Sequence, residues 1–532
     1  MFFNAPWRGL TSRLKNSYKC RPEEKNLQLL LKAHHVLPKK KEERMTPSTM
    51  QERQAEIGDL REWLAAAERL DELQLVKGAD WNLEIGGISQ INYRRRPNKA
   101  QLFDAIKGYP EGYRLLTASM GSVQRMAMTF NLPPIAGNQD LVEELRGKPL
   151  QWETASGKFP PHIVKSGPVL EEVYRGADIN VLKFPTPLWH EKDGGRYIGT
   201  GCAVITRDPD ADWVNLGAYR VMVLDEKRVT VNIEAGKHGR LHLEKWWAKE
   251  GRCPVAICLG MDPLLFAMAG LEIPTGIGEY NYAGAIRNRP VDVILSDVTG
   301  LPIPAGGEIV LEGWLYPDKQ HKEGPYGEWT GYYSGGQRTA PVLEAETLLH
   351  RHDPILLGAP PGKPPSDYSY MRTVLKSAMI HDALVKAGVA DTRGVWAHEC
   401  GGGRMLIVVS IKQRFCGHSR QAASIAAQCQ AASYMNRYVV VVDEDIDPTN
   451  LEEVMWAVCT RTDPATDIEI MRKAWGSKVD PMRREPNPTY NSRAIIDACR
   501  PYDWIDEFPA VAEASPEFIR STMDKWRHLF SS

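Results

Sequence analysis

Two carboxylates flank a tight turn in the hexapeptide Glu323-Gly-Pro-Tyr-Gly-Glu328. Gly and Pro hold such loops in narrow conformations, so the two acids can converge on one point. Paired carboxylates in a cleft split their pKa values, which leaves one as a proton donor while the other stays charged. The plainer reading is a surface turn carrying two unrelated acids. A second set of chemistry-bearing residues spans 215–279: Asn215 and Arg220 in Asn-Leu-Gly-Ala-Tyr-Arg, His238 in Ala-Gly-Lys-His-Gly-Arg, and Glu279 in Gly-Ile-Gly-Glu-Tyr. Amide oxygen, imidazole nitrogen and carboxylate oxygen suit Mn²⁺, Mg²⁺ or Fe²⁺ better than a thiolate-seeking ion. Spacing alone does not bring the three together, and each taken singly also reads as a satisfied buried polar group or a surface residue.

Other candidates carry less. His238 and His242 form an H-x-x-x-H that a helix would turn into a zinc pair. The pair lacks the Glu that follows the first His in metallopeptidases, and Gly239 weakens a helix there. Cys400-Gly-Gly-Gly precedes a strand, the wrong order for a dinucleotide loop, and reads as a simple turn. Asp443-Glu444-Asp445 reads as a solvated loop at the end of a strand. No basic stripe surrounds Trp246-Trp247, so the pair reads as packing and not as a stacking platform for nucleic acid.

The elements that must position these residues follow from periodicity. Leu60, Trp63, Leu64, Ala67 and Leu70 recur at helical spacing after Asp59 and Glu62, which resemble a capping box. Helix and strand signals alternate to about Val164, an α/β texture. From about Ser166 short strands dominate: 197–207, 215–224, the alternating Val229, Val231 and Ile233, then 291–295 and 308–315, with a helix inserted at 241–249. This pattern predicts a β-barrel or sandwich. After about Leu349 the α/β style returns, with apolar strands at 405–411 and 438–442 that suit a sheet covered on both faces. Helices are expected near 422–434 and 450–459, and 516–530 reads as a helix able to dock on a partner subunit.

Bulk properties narrow the function class. Lys and Arg number 66 against 67 Asp and Glu, which offers no global attraction for nucleic acid or acidic lipid. The nine cysteines are dispersed, with no C-x-x-C, so reduced thiols in a cytoplasmic protein are expected, without a disulfide framework or structural zinc. No apolar run reaches the ~18–20 residues of a membrane span. Residues 1–44 hold eleven Lys/Arg against four Asp/Glu, so 1–49 reads as a basic, disordered arm.

Several segments in order resemble the UbiD family of reversible decarboxylases: Arg196-Tyr-Ile-Gly-Thr-Gly, Asn215-Leu-Gly-Ala-Tyr-Arg220, Gly236-Lys-His-Gly-Arg240, Gly278-Glu279-Tyr, Glu323-Gly-Pro-Tyr-Gly-Glu328-Trp-Thr-Gly-Tyr-Tyr333, and Trp456-Ala with Thr460-Arg461. The resemblance runs from about 57 to 505. It implies an N-terminal α/β domain over 50–165, a central FMN-binding split β-barrel over 166–348 and a C-terminal α/β oligomerisation domain over 349–532. It implies prenylated FMN, supplied by a flavin prenyltransferase, with a divalent metal (Mn²⁺, or Mg²⁺ or Fe²⁺) and K⁺. The metal ligands would be Asn215, His238 and Glu279. Ala218, Tyr219, Arg220, Lys237 and His238 would line the cofactor. Arg220 would orient a substrate carboxylate, Glu323 would fix Arg220, and Glu328 would protonate the carbon that loses CO₂. The expected substrate is a small aromatic or unsaturated carboxylic acid, and the expected assembly a homodimer or homohexamer. The same site could run as an aromatic carboxylase, and a non-catalytic flavin-binding subunit is the reading from a different class. The active site should lie between the central and C-terminal domains, with 434–436 and 477–479 closing over it. Lys237 and Trp329 point to a planar acid with a second acidic or hydroxyl group.

Overall fold

The computed structural model describes residues 57–483 and 490–530. The arm expected over 1–49 lies outside these residues. The first helix is Leu60–Arg69, which buries Leu60, Trp63, Leu64 and Ala67 as its periodicity requires. The Asp59 carboxylate accepts from Glu62 N at 2.9 Å. Glu62 answers one residue earlier than a capping box would, accepting from Gly58 N.

The strands form four sheets. The N-terminal one runs Leu73–Lys77, Ala100–Asp104, Arg114–Thr117, and takes its fourth strand from Ile355–Leu357, far along the chain. The central sheet has nine strands and curls around a core that includes Tyr197, Val204, Val221, Val231, Ile257, Leu311 and Leu343. Its spine is a long antiparallel hairpin of Ile309–Glu323 and Arg338–His350, paired from Ile309 against His350 to Glu323 against Arg338 with register shifts between Glu312 and Gly313 and between Leu315 and Gln320. The sequence pattern predicted only 308–315, the first half of that hairpin's first strand. From Pro317 to Lys322 the strand is polar and exposed, so it lacks the apolar signal of a core strand. The Gly-Pro-Tyr-Gly segment opens the connection 324–337 at the far end of this hairpin.

Two predicted strands are each split in two. The run 197–207 becomes Tyr197–Gly199 and Ala203–Arg207, and 215–224 becomes Val214–Gly217 and Val221–Val223. In the second case Ala218 N leaves the ladder to donate to Ala269 O at 2.8 Å. Ala218, Tyr219 and Arg220 thereby bulge out of the sheet. A three-stranded sheet of Pro302–Pro304, Asp292–Leu295 and His162–Ile163 completes the middle of the chain.

The C-terminal sheet orders Thr392–Ala397, Leu406–Ile411, Tyr438–Asp443, Tyr490–Ala498 and Ile468–Trp475. Its centre is the valine strand. Val439 and Val441 enter one core with Ala422, Ala423 and Ala426 of helix His418–Gln428. Val440 and Val442 enter another with Val454 and Ala457 of helix Leu451–Arg461. A strand buried on both faces needs apolar residues without alternation, and this one has them. The solvated-loop reading of 443–445 fails at Asp443. That carboxylate is buried and meets Arg461 at 3.2 Å and Arg500 at 3.0 Å, because a helix from across the sheet delivers Arg461 to the strand end. Helices Pro516–Lys525 and Arg527–Phe530 end the described chain and expose Phe518, Met523, Leu529 and Phe530. Among the described residues no helix is long and apolar enough to cross a membrane, and eight cysteines are all unpaired.

Candidate active site

A cavity of about 470 Å³ opens where the bulge at 218–220, the hairpin tip and the start of the C-terminal region meet. Asn215, Ala218, Tyr219, Arg220, Lys237, His238, Glu279 and Glu328 all line it. Glu323 stands behind the wall, fully buried.

The bulge aims Arg220 along the hairpin tip. Its guanidinium forks onto Glu323, with Nε to Oε1 at 2.6 Å and Nη2 to Oε2 at 2.8 Å. Glu323 also accepts from Tyr197 Oη and Asn232 Nδ2, each at 3.1 Å. A bidentate pair whose carboxylate is held from two further directions has little freedom to rotate. Burial works against the Arg220 charge, but Glu323 outweighs it and the pKa rises. The free edge of the guanidinium faces Glu328, Nη1 to Oε1 at 3.5 Å.

Glu328 lies under different constraints. Burial raises its pKa to about 7, against the opposing pull of Arg220 and of Arg338, whose Nη2 is 3.7 Å away. A carboxyl poised there can hold a proton at neutral pH and give it up, as general acid catalysis requires. The two acids of the hexapeptide thus stand in different surroundings: Glu323 is pinned under Arg220, and Glu328 lines the cavity with its pKa raised by burial.

Deeper in the cleft, Leu216 N donates to Glu279 Oε2 at 2.8 Å, which ties the carboxylate to the residue after Asn215. Glu279 begins helix Glu279–Arg287 and is 3% exposed. Burial pushes its pKa up to about 8, with only backbone donors opposing. The Asn215 amide nitrogen is buried without a partner. His238 opens helix His238–Glu250 and meets Thr275 Oγ1 at 3.1 Å, in the loop that leads to Glu279. A buried carboxylate lacking a cationic partner, a neutral imidazole and an amide fit a hard divalent cation. Among the described residues no three His, Cys, Asp or Glu side chains converge as a metal site, so a cation here would need the Asn215 amide and oxygen atoms of a bound ligand.

Gly239 does not prevent the helix at His238. Its backbone N donates to Tyr219 Oη at 3.2 Å, and a Cβ there would lie 2.7 Å from the Tyr219 ring. The glycine is needed for that close approach, which fixes Tyr219 in the cavity wall. His242 faces away into the core, bonding Thr206 Oγ1 at 3.0 Å. The Trp213 ring lies 4.8 Å from each of the two imidazoles, which separates their roles.

Several contributors carried no assigned role from sequence. Tyr197 and Asn232 hold Glu323, Arg338 faces Glu328, and Arg372, Arg404 and Glu272 line the cavity. Tyr197 lies inside one of the quoted motifs, so its signal was present. Arg404 directly follows the glycine run, while Arg338 and Arg372 lie in segments where no motif stood out. Tyr434 and Val479, from the two loops expected to close over substrate, line the cavity, and Tyr434 Oη bonds Ser477 Oγ at 2.7 Å.

Known proteins match this chain along most of its length. Family models for 3-octaprenyl-4-hydroxybenzoate carboxy-lyase match in order: the N-terminal domain over 64–145, the Rift-related domain over 162–364 and the C-terminal domain over 369–498. A pyrrole-2-carboxylic acid decarboxylase of Pseudomonas aeruginosa is 32% identical over 401 residues, covering 73% of this chain and 79% of that protein. A phenolic acid decarboxylase of Sedimentibacter hydroxybenzoicus is 32% identical over 460 residues, 83% of this chain and 92% of that protein. Among solved structures, the enzyme HmfF of Pelotomaculum thermopropionicum in complex with FMN superposes with a TM-score of 0.76 at 27% identity, over 88% of this chain and all of that one. An evolved dimeric form of it, in complex with prFMN, gives 0.72 at 26% identity over 87% of this chain and 98% of that one.

Proposed function

The chain belongs to the UbiD family of carboxy-lyases, and on that premise we propose that it decarboxylates an aromatic or α,β-unsaturated carboxylic acid without net oxidation, using prenylated FMN. The observation that carries this reading is the contrast between Glu323 and Glu328 around one arginine. Arg220 is locked by Glu323 on one edge, and its other edge can hold a substrate carboxylate in the plane of its fork. Glu328 is the nearest acid with its proton still available at neutral pH.

When bound, the flavin supplies the electron sink for the pair left as the carbon–carbon bond breaks. The residues of this chain do the rest. Arg220 orients the carboxylate until it leaves as CO₂. Glu328 gives its proton to the carbon that lost it, so R–COO⁻ and H⁺ become R–H and CO₂. Asn215, His238 and Glu279 would hold Mn²⁺, or Mg²⁺ or Fe²⁺, which with K⁺ would supply positive charge for an anionic cofactor. Tyr219, Ala218 and Lys237 would flank the cofactor. The substrate names of the relatives, a pyrrole acid and phenolic acids, support a flat ring, and Trp329 in the wall suits one. A homo-oligomer would cover the exposed apolar residues at 516–530.

The test is to co-produce the chain with a flavin prenyltransferase, weigh the flavin released on denaturation, and screen aromatic acids for CO₂ release. A flavin one five-carbon unit heavier than FMN, together with turnover, supports the reading. Turnover by flavin-free protein would overturn it.

A further inference from the structure

One wall of the cavity carries more positive charge than the mechanism above uses. Arg372 comes from helix Asp367–Lys386, and Arg404 follows the run Gly401-Gly402-Gly403. Gly402 and Gly403 adopt φ of 64° and 67°, a region that disfavours side chains. A Cβ on Gly402 would lie 2.6 Å from the Trp329 ring, and one on Gly403 would lie 2.9 Å from Thr373 N. The glycines let this loop press against both Trp329 and the helix, which carries Arg404 inward.

Arg404 has only 10% of its side chain exposed. Its Nη2 meets Glu272 Oε1 at 3.1 Å, while Nε and Nη1 are buried without a hydrogen-bond partner. The guanidinium faces the rings of Tyr434 at 5.1 Å and Trp329 at 5.9 Å. Arg372 lies beside it, 4.7 Å from the Tyr368 ring and 5.4 Å from Trp329, with one bond to Gly402 O at 3.0 Å. Burial, reinforced by Arg404, lowers the Arg372 pKa to about 10. Lys376, one turn further along the helix, reaches Glu272 Oε2 at 3.6 Å, and burial with Arg404 lowers it to about 8. Arg404 and Lys376 thus share one carboxylate, with Arg372 beside them. Burial opposes the Glu272 charge, but Arg404 and Lys376 outweigh it and bring its pKa down to about 2. Buried guanidinium nitrogens without partners are costly, and an arriving anion removes that cost.

We propose that Arg372 and Arg404 bind a second carboxylate of the substrate, so that the preferred substrate is a planar aromatic diacid held between Arg220 at the reacting carboxylate and this pair at the other. This rests on the decarboxylase reading. The carboxylate at Arg220 leaves as CO₂, its bonding electrons stay with the ring carbon, and that carbon takes the Glu328 proton. The second carboxylate remains on the product, a monoacid. A planar guanidinium suits a carboxylate better than the ammonium of Lys237, which stands exposed at the cavity rim. The flavin phosphate carries the same anionic chemistry, so the experiment must separate the two.

The experiment uses holoprotein co-produced with a flavin prenyltransferase, as wild type, Arg404→Gln and Arg372→Gln, with Arg404→Lys as the conservative control. Benzoate, benzene-1,3-dicarboxylate and benzene-1,4-dicarboxylate are the probes. Three quantities are measured: flavin content by absorbance, Kd by calorimetry and kcat/KM by CO₂ release. The expected result is tenfold or greater preference of wild type for a diacid in Kd. That ratio should collapse at least tenfold in both Gln variants, recover partly in Arg404→Lys, and leave flavin content intact. Loss of flavin in the Gln variants would assign the arginines to the cofactor phosphate and overturn the proposal. So would an unchanged diacid-to-monoacid ratio, or equal binding of benzoate and both diacids by wild type. If flavin-loaded wild type binds diacids selectively but releases no CO₂, the decarboxylase reading fails and the anion subsite stands.

Discussion

The two charged walls of the cavity are built on opposite principles. At Arg220 the charges close on themselves: the guanidinium forks onto Glu323, and Glu323 is held by Tyr197 and Asn232. At Arg404 the charges stay open, with Arg404 and Lys376 on the one carboxylate of Glu272 and two buried guanidinium nitrogens without partners. A closed network fixes geometry before substrate arrives, which is what orienting a reacting carboxylate demands. An open one stores unmet electrostatic demand that only an anionic ligand satisfies. The first suits catalysis and the second suits selection, although both use arginine.

If that division holds, the largest effects belong to the closed wall. Glu328→Gln removes the dischargeable proton while keeping shape, and kcat should fall about 10³-fold, within the range for loss of a general acid. Flavin content and melting temperature should stay near wild type. In the wild type the same group sets the pH dependence. With a pKa raised to about 7 by burial, the proton is present below pH 7 and lost above it. The kcat/KM for decarboxylation should therefore decline tenfold per pH unit on the alkaline side. A flat profile from pH 6 to 9 would remove Glu328 from the proton-donor role.

Glu323→Gln should come next, at about 10²-fold in kcat/KM, since it frees Arg220 to turn without removing it. The loss should fall equally on monoacids and diacids, because the closed wall handles only the departing carboxylate. A selective loss on diacids would blur the two walls and count against the division.

The sequence revealed these walls unequally, for physical reasons. The hexapeptide and the Asn215–Arg220 segment announce themselves because acids, amide and arginine fall among glycines at short range. Their convergence does not, since it depends on Ala218 leaving its ladder for Ala269 and on a hairpin whose outer half is polar. Periodicity found the valine strand and its two covering helices because burial on both faces leaves an unbroken apolar run. It missed that Ile355–Leu357 returns to the N-terminal sheet, because three residues carry no period and their partners, Arg114–Leu116, lie 241 positions away. Asp443 looked solvated because its partners, Arg461 and Arg500, lie on later segments. The open wall was hidden in the same way. Its arginines are isolated in sequence, and the adjacent glycine run reads as a turn until the ring of Trp329 is seen pressed against it.

The smallest expected effect is the most direct probe of the open wall. Glu272 is the carboxylate that Arg404 and Lys376 share, and its side chain is half-exposed toward the cavity. In Glu272→Gln the amide keeps the shape and can still accept a hydrogen bond, but the negative charge is gone. The wall becomes more positive, and a ligand carboxylate no longer competes with a resident one. Diacid Kd should fall about threefold, a modest gain because the half-exposed charge is partly screened. Benzoate, lacking the second carboxylate, should bind as before. Raising salt should weaken diacid binding more in the variant than in wild type, since more of its affinity is electrostatic. Lys376 loses its nearest anion in the same substitution, so its pKa should drop further below 8. The gain in diacid affinity should then shrink as pH rises from 6 to 8. A variant that binds diacids more weakly at every pH would mean that Glu272 holds Arg404 in its binding pose, and the open wall would prove to be as preorganised as the closed one.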